Sequence, residues 1–368
     1  MVERQQKNAY PCISLFSGVG GLDLGLKQAG FDHRVFVDND KACFESLQRN
    51  WPDVPILKEK IENVSTARLL ETAGLDISEA ALVSGGPPCQ PYSKSGFWIN
   101  KRWENDKEEG VPRKFNGLND PRVSTLKEYL RVVREARPLA YFFENVYGLW
   151  YKTSRPALEE LARGLQEAGY STNYNVLNSA DYGVPQKRKR LIMIGARDNV
   201  TLKLPKPTHC SVEKLDVSLG QCDPWVSAGH AIGDLDDGEI HEGEEVAGKW
   251  GHLLPEIPPG DNYLFFTEKR GHPNPIFGWR QKYWNFLLKL SPDLPSWTIQ
   301  ANPGPYVGPF HWKNRRLRTP EIKRLQSFPD NYEVSGSNKI AKRQLGDAVP
   351  PLLSKRVGEA ILNQIKKL

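Results

Sequence analysis

The sequence predicts an α/β fold, with a mostly parallel sheet covered by helices on both faces and a smaller, irregular second domain. Three observations predict it. Short apolar strands alternate with helical patterns through the first half of the chain. After Ala196 prolines and tryptophans crowd in and helical periodicity fades. Helical patterning then returns near the C-terminus. At 368 residues the chain exceeds a comfortable single core, so two domains are expected.

The elements follow in order. Cys12 to Phe16 is a short apolar strand. Leu22 to Gln28 has helical spacing and stops at Gly30, a C-cap residue. Arg34 to Val37 is a second strand, and Lys41 to Asn50 a helix stopped by Trp51-Pro52. Ala80 to Val83 is a buried strand. Leu126 to Ala136 is a helix, followed by the strand Leu139 to Phe143. Ala157 to Ala168 is a helix closed by Gly169, and Arg190 to Ile194 a strand. Beyond Ala196 only Tyr283 to Leu290, Pro320 to Ser327 and Pro350 to Lys366 carry helical patterning. The polar segment Asn100 to Asn119 reads as a long loop.

Composition is that of an ordinary globular protein, at 39% hydrophobic and 26% charged. No apolar run approaches the roughly 18 residues of a membrane helix. The polar start, Met1 to Ala9, lacks a signal-peptide core, so the expected location is the cytoplasm. Five scattered cysteines do not point to a disulfide framework. A net charge of +6 permits a polyanionic partner. Glu213 to Glu245 carries ten acids against one lysine, whereas Thr267 to Arg318 carries nine Lys/Arg against two acids. The second stretch would attract a phosphate backbone and the first repel it; the plainer alternative is two solvated faces.

Four constellations carry chemistry. Phe16-Ser-Gly-Val-Gly-Gly21 joins the first strand to the first helix, where glycines let the backbone approach a ligand and free N–H groups meet an anion. Asp23 stands where a dinucleotide fingerprint wants a third glycine. Asp38 ends the second strand, in position to accept hydrogen bonds from ribose hydroxyls. A ligand with a ribose and a carboxylate but no pyrophosphate fits, and S-adenosylmethionine is such a ligand. In Ser84-Gly-Gly-Pro-Pro-Cys-Gln-Pro-Tyr-Ser93, glycines and prolines forbid helix and present the Cys89 thiol on a stiff loop at a strand's mouth, a place for a nucleophile. Phe143-Glu144-Asn145-Val146 places a carboxylate at another strand's end. In Gln186-Lys-Arg-Lys-Arg190, strand alternation puts Arg188 and Arg190 on one face, able to hold carbonyl or phosphate oxygens.

In this order the four runs resemble the motifs of the DNA (cytosine-5) methyltransferase family of the prokaryotic restriction-modification type. Arg315-Arg-Leu-Arg-Thr-Pro-Glu321 and Gln344-Leu-Gly-Asp-Ala-Val-Pro-Pro351 are similar to its two later motifs, so the resemblance covers most of the chain. It implies a Rossmann-like S-adenosylmethionine-dependent methyltransferase domain at 1–199 and 337–368, and a strand- and loop-rich target-recognition domain at 200–336. It implies transfer of a methyl group to C5 of a cytosine flipped out of double-stranded DNA, with Cys89 adding to C6 as a thiolate. Glu144 would hold N3 and the exocyclic amine, and Arg188 and Arg190 would stabilise charge at O2 and hold Glu144. The cofactor residues implied are Phe16, Gly18, Val19, Gly20, Gly21, Asp38, Asn39, Pro88, Asp347 and Val349.

DNA contacts are expected from Gln90, Ser93, Asn145, Arg270, Arg280 and Lys282, with Asn145 more positional than chemical and Lys269 a further candidate. Loop 100–119 would close over the flipped base. The tryptophans of the second domain are expected in its core more often than on DNA. No metal is implied; His209, Cys210, Cys222 and His230 match no usual zinc spacing. Two positions depart from the family pattern: Asp347 replaces an Asn, and Lys60 stands where an acid often meets the adenine amine, with Glu59 and Glu62 nearby. The expected protein is a monomer near the bacterial nucleoid, with a cognate restriction endonuclease as a genetic partner. Rival readings are a tRNA cytosine-5 methyltransferase, disfavoured by the long variable region, and a catalytically inactive DNA-binding relative.

Overall fold

The structure, a computed structural model, describes residues 10–88, 124–152, 154–211, 213 and 222–368. These form two compact units. The first comprises Met1–Leu177, Lys189–Lys206 and Ser354–Leu368; the second comprises Asn178–Arg188 and Pro207–Leu353.

The first unit is built on a seven-stranded sheet. Its strands are β1 (Tyr10–Leu15), β2 (Phe31–Val37), β3 (Ile56–Leu57), β4 (Leu82–Gly85), β5 (Ala140–Val146), β6 (Asn173–Asn178, whose last residue falls in the second unit) and, after a short β7 described below, β8 (Lys189–Ala196). Their order is β3-β2-β1-β4-β5-β8-β6. β1 pairs in parallel with β2 and β4, and β4 with β5, while β8 runs antiparallel to β5. Chain order therefore reverses beside β1, which puts the loops after β1 and β4 at the switch point where open α/β sheets bind ligands.

Alternation along the strands buries both faces. Ile13, Leu15, Val35, Val37, Val83, Tyr141 and Phe143 share one core with side chains from helices Thr66–Ala73 (α3), Ser124–Ala136 (α4) and Arg155–Glu167 (α5). Helix α1 (Gly21–Ala29) packs against the C-terminal helix so closely that a Cβ on Gly358 would lie 2.9 Å from Ala29 Cβ. α1 ends at Gly30 in the left-handed conformation, as its sequence predicts. α2 (Lys41–Asn50) starts at Asp40, whose carboxylate accepts from the N–H groups of Ala42 and Cys43. β3, α3 and β6 escape sequence periodicity because they are short or polar.

The second unit contains little regular structure. β7 (Gln186–Lys187) pairs with Ser296–Trp297, and His209–Cys210 with Asp223–Pro224. Cys210 and Cys222 are joined by a disulfide, contrary to the sequence expectation; the two paired strands bring Cα atoms 12 residues apart to 6.0 Å. Its aromatic core holds Leu254, Tyr263, Phe266, Phe277, Phe286 and Phe310. The helix expected over 283–290 does not form. Leu287 is left-handed, with φ 51°, and the segment bonds across to 306–310 instead.

The compact units differ from the boundaries read in the sequence. Segments 178–188 and 337–353 pack within the second unit, and 200–206 within the first. The reason is local. Gln186 donates its amide to Gln326 Oε1 and Leu325 O, and Arg188 donates to the carbonyls of Ile299 and Gly346.

Candidate functional site

β5 extends three residues beyond Phe143 because β8 pairs with it to the end. Glu144 lies opposite Ile192 and Val146 opposite Arg190. Opposed residues share a face, so Arg190 reaches diagonally to Glu144. Its Nε donates to Glu144 Oε1 at 2.9 Å, both side chains being nearly buried. A Cβ on Gly86 would stand 2.9 Å from Glu144 Oε2, so the loop after β4 approaches the carboxylate only because position 86 lacks a side chain.

Asn145 points to the other face and is 2% exposed. Its Nδ2 donates to Pro87 O at 3.2 Å, and its Oδ1 accepts from the Val146 N–H. Asn145 is thus buried, holding the loop two residues before Cys89. Cys89, Gln90, Ser93 and loop 100–119 lie outside the described residues.

Arg188 and Arg190 do not share a face. β7 ends at Lys187 and β8 begins at Lys189, so the alternation is broken at Arg188. Its guanidinium is buried in the second unit on the carbonyls of Ile299, Gly346 and Asp347. Of these two arginines, Arg190 is the one paired with Glu144 among the described residues.

The loop after β1 is wound by left-handed residues at Phe16, Gly18 and Gly20. Gly18 N–H donates to Asp38 Oδ2 at 2.7 Å, and Asp40 N–H to Asp38 Oδ1 at 2.8 Å, fastening this loop to the end of β2. Burial pushes the Asp38 carboxyl above its usual range, against those hydrogen bonds. A Cβ on Gly18 would meet nothing within 4 Å, so the loop faces open space. Val19, Gly20 and Gly21 are buried beneath it, and Asn39 and Pro88 are exposed. Near β3, Glu59 is paired with Arg68 at 2.7 Å and Lys60 is exposed. Asp347 and Val349 belong to the second unit, where Asp347 is exposed and Val349 buried.

Sequence reading missed the role of Asp23. Its carboxylate sits 3.1 Å from His33 Nε2, both fully buried between α1 and β2. Burial opposes the imidazolium, but Cys12 and Asp23 beside it outweigh that and push the His33 pKa up to about 10. The signal in the sequence was a charged residue on the apolar side of α1.

In the second unit part of the acidic segment is tied to arginines, although Asp234, Asp237, Glu239, Glu242 and Glu245 remain exposed. Arg318 binds Asp237 and Glu244, Arg324 binds Asp234, and the wholly buried Arg315 binds Glu321 in a two-pronged pair at 3.0 and 2.7 Å. Arg315 and Arg318 therefore leave the set of cations counted as attracting phosphate. Arg270 is held by Asp261 at 2.6 Å, Arg280 is exposed, and Lys282 is half-buried over Phe286. Of the six tryptophans from 225 to 312, none is in the core; Trp279 and Trp284 are exposed and the others half-buried.

Residues 10–363 match the family model described as C-5 cytosine-specific DNA methylase. The chain is 40% identical to the Type II methyltransferase M.SacI of Streptomyces achromogenes over 96% of this chain and 93% of the relative. It is 30% identical to the Type II methyltransferase M1.HphI of Haemophilus parahaemolyticus, over 95% and 86% respectively. In fold it is similar to a prophage-encoded DNA modification methyltransferase of E. coli, with a TM-score of 0.66 at 18% identity, covering 97% of this chain and 100% of that one. With Glu144 and Arg190 paired beside the loop that leads to the Pro-Pro-Cys run, and residues 10–363 matched, the chain belongs to the C-5 cytosine-specific DNA methylase family and is a DNA (cytosine-5) methyltransferase of the Type II restriction-modification kind.

Proposed function

We propose that the protein methylates C5 of a cytosine flipped out of a specific double-stranded DNA sequence, using S-adenosylmethionine and a covalent Cys89–C6 adduct. The Glu144–Arg190 pair carries this reading. A carboxylate held by an arginine, next to a loop two residues from a thiol, matches what cytosine needs: a nucleophile for C6 and a hydrogen-bonding group for the N3 edge. As the Cys89 sulfur bonds to C6, electron density moves to C5. After methyl transfer the C5 proton leaves, the C6–S bond breaks and the thiolate is restored. Arg190 keeps the Glu144 carboxylate oriented, and Asn145 keeps the loop in register. Arg188, bound to backbone carbonyls, acts by shaping its own unit.

The loop residues fit the cofactor. Phe16, Gly18, Val19, Gly20 and Gly21 would hold its methionine part, Asp38 and Asn39 its ribose, and Pro88 would complete this part of the site. When bound, S-adenosylmethionine supplies a sulfonium methyl group. We assign cofactor binding and catalysis to 1–199 and 337–368 and target recognition to 200–336, and place the protein in the bacterial cytoplasm as a monomer with a cognate endonuclease.

The test is transfer of labelled methyl groups to duplex DNA and to tRNA by wild type, Cys89→Ser and Glu144→Gln. The proposal expects DNA labelling by wild type, a trapped protein–DNA adduct with 5-fluorocytosine DNA, and losses of at least a hundredfold in both variants. Labelling of tRNA alone, or full activity of Cys89→Ser, would overturn it.

A further inference from the structure

In the second unit, residues 276–284 leave four large apolar side chains in solvent. Ile276 is 43% exposed, Trp279 41%, Tyr283 57% and Trp284 48%. Such a cluster on one short segment marks a contact surface rather than scattered exposure. It is a built feature, because Phe277 within the segment and Phe286 just after it are buried in the aromatic core and anchor it.

The tip is a tight turn. Gln281 N–H donates to Gly278 O at 3.1 Å, and Gly278 N–H donates to Gln281 Oε1 at 2.9 Å. Trp279 and Arg280 are its two central residues, with Arg280 in the left-handed region at φ 57°. Lys269 Nζ lies 4.4 Å from the Trp279 ring centre, a cation held over an exposed aromatic face. At the other end, Trp284 packs edge-on against Trp297 with ring centres 4.3 Å apart.

Charge identifies the occupant. Between Glu268 and Asp293 there is no acid, while Lys269, Arg270, Arg280, Lys282 and Lys289 all lie there. Lys289 is buried and Arg270 is held by Asp261, leaving Lys269, Arg280 and Lys282 around the aromatic tip. A rim on which Lys269, Arg280 and Lys282 outnumber the one exposed acid beside Lys269, Glu268, with exposed aromatics between them, suits a polyanion that also offers flat apolar surfaces, which describes duplex DNA.

We infer that the Gly278–Gln281 turn is the base-reading tip of this enzyme, with Arg280 reading a guanine edge through its guanidinium fork and Trp279 covering the adjoining base or sugar. The inference rests on the assignment of 200–336 to target recognition. Arg270 is then a scaffold residue.

The methylated sequence is first read by conversion sequencing of DNA from cells expressing wild type. kcat/KM is then measured for wild type, Arg280→Ala, Arg280→Lys, Trp279→Ala and Trp284→Ala, on the cognate duplex and on duplexes with one base pair changed, at several salt concentrations. Circular dichroism verifies folding. At one G·C pair Arg280→Ala should lose discrimination of about 10- to 100-fold, keeping it elsewhere. Arg280→Lys should not restore it, because an ammonium lacks the fork. Trp279→Ala should raise KM for DNA and leave the donor KM unchanged. A uniform loss on every duplex with a shallower salt slope would make Arg280 a phosphate contact and overturn base reading alone. If all four variants keep wild-type DNA KM while methyl transfer continues, the assignment of this unit to DNA falls as well. A change of oligomeric state in Trp279→Ala would make the surface a contact between copies and overturn the inference.

Discussion

The Asn145 side chain donates to the Pro87 carbonyl at 3.2 Å, tying the end of β5 to the loop that enters the Pro-Pro-Cys run. Two neighbouring strand residues thus make different contacts on opposite faces: Glu144 pairs with Arg190 and Asn145 holds the loop. Asn145→Ala leaves a buried carbonyl without its donor, which costs about 1–3 kcal/mol of stability. kcat should fall at least tenfold through misplacement of the loop, while KM for the methyl donor changes little. Urea unfolding and steady-state kinetics check both.

Gly86→Ala tests how close the loop comes to Glu144. The added methyl would sit 2.9 Å from Oε2, so the carboxylate or the loop must shift. Activity should drop by one to two orders of magnitude, with a stability change of about 1–3 kcal/mol. Single-turnover methyl transfer measures the first and chemical denaturation the second.

The His33–Asp23 pair makes stability depend on alkaline pH. His33 is raised from 6.5 to about 10, so the folded protein holds a proton that the unfolded chain has released above pH 6.5. The stabilisation is complete below that value and is lost as pH rises through about 10. Its slope approaches about 1.4 kcal/mol per pH unit within that window. Unfolding free energies from pH 6 to 9.5 should fall in wild type and flatten in His33→Gln. An equal slope in both would remove the pair from the account.

Arg315→Met strands Glu321 in a fully buried site beside His311. Breaking one half of such a pair costs about 3–5 kcal/mol. The double change Arg315→Met with Glu321→Met should recover only part of that loss, because Asp236 and Glu244, 3.6 and 3.8 Å from Arg315, still lose its charge and the Arg318 N–H loses its acceptor. Denaturation midpoints of the three proteins decide it.

The amino-acid sequence by itself determined the reaction class and most of the sheet. Apolar runs with period-two burial and helices ending at Gly30 are local signals. The Pro-Pro-Cys, Glu-Asn-Val and Gln-x-Arg-x-Arg runs are chemical ones, readable without neighbours. Tertiary structure alone decided what each charged side chain serves. Arg188 and Arg190 look equivalent in sequence, yet a break between β7 and β8 sends one to carbonyls of the second unit and the other to Glu144. Asn145 turned inward, Arg315 went to Glu321, Arg318 went to the acidic segment, and Cys210 found Cys222. Segment 283–290, helical by period, was pulled into pairing with 306–310. The physical reason is common to all. Apolar periodicity is set by residues a few positions apart, whereas a buried charge or thiol is satisfied by whichever partner the fold delivers from a distant part of the chain.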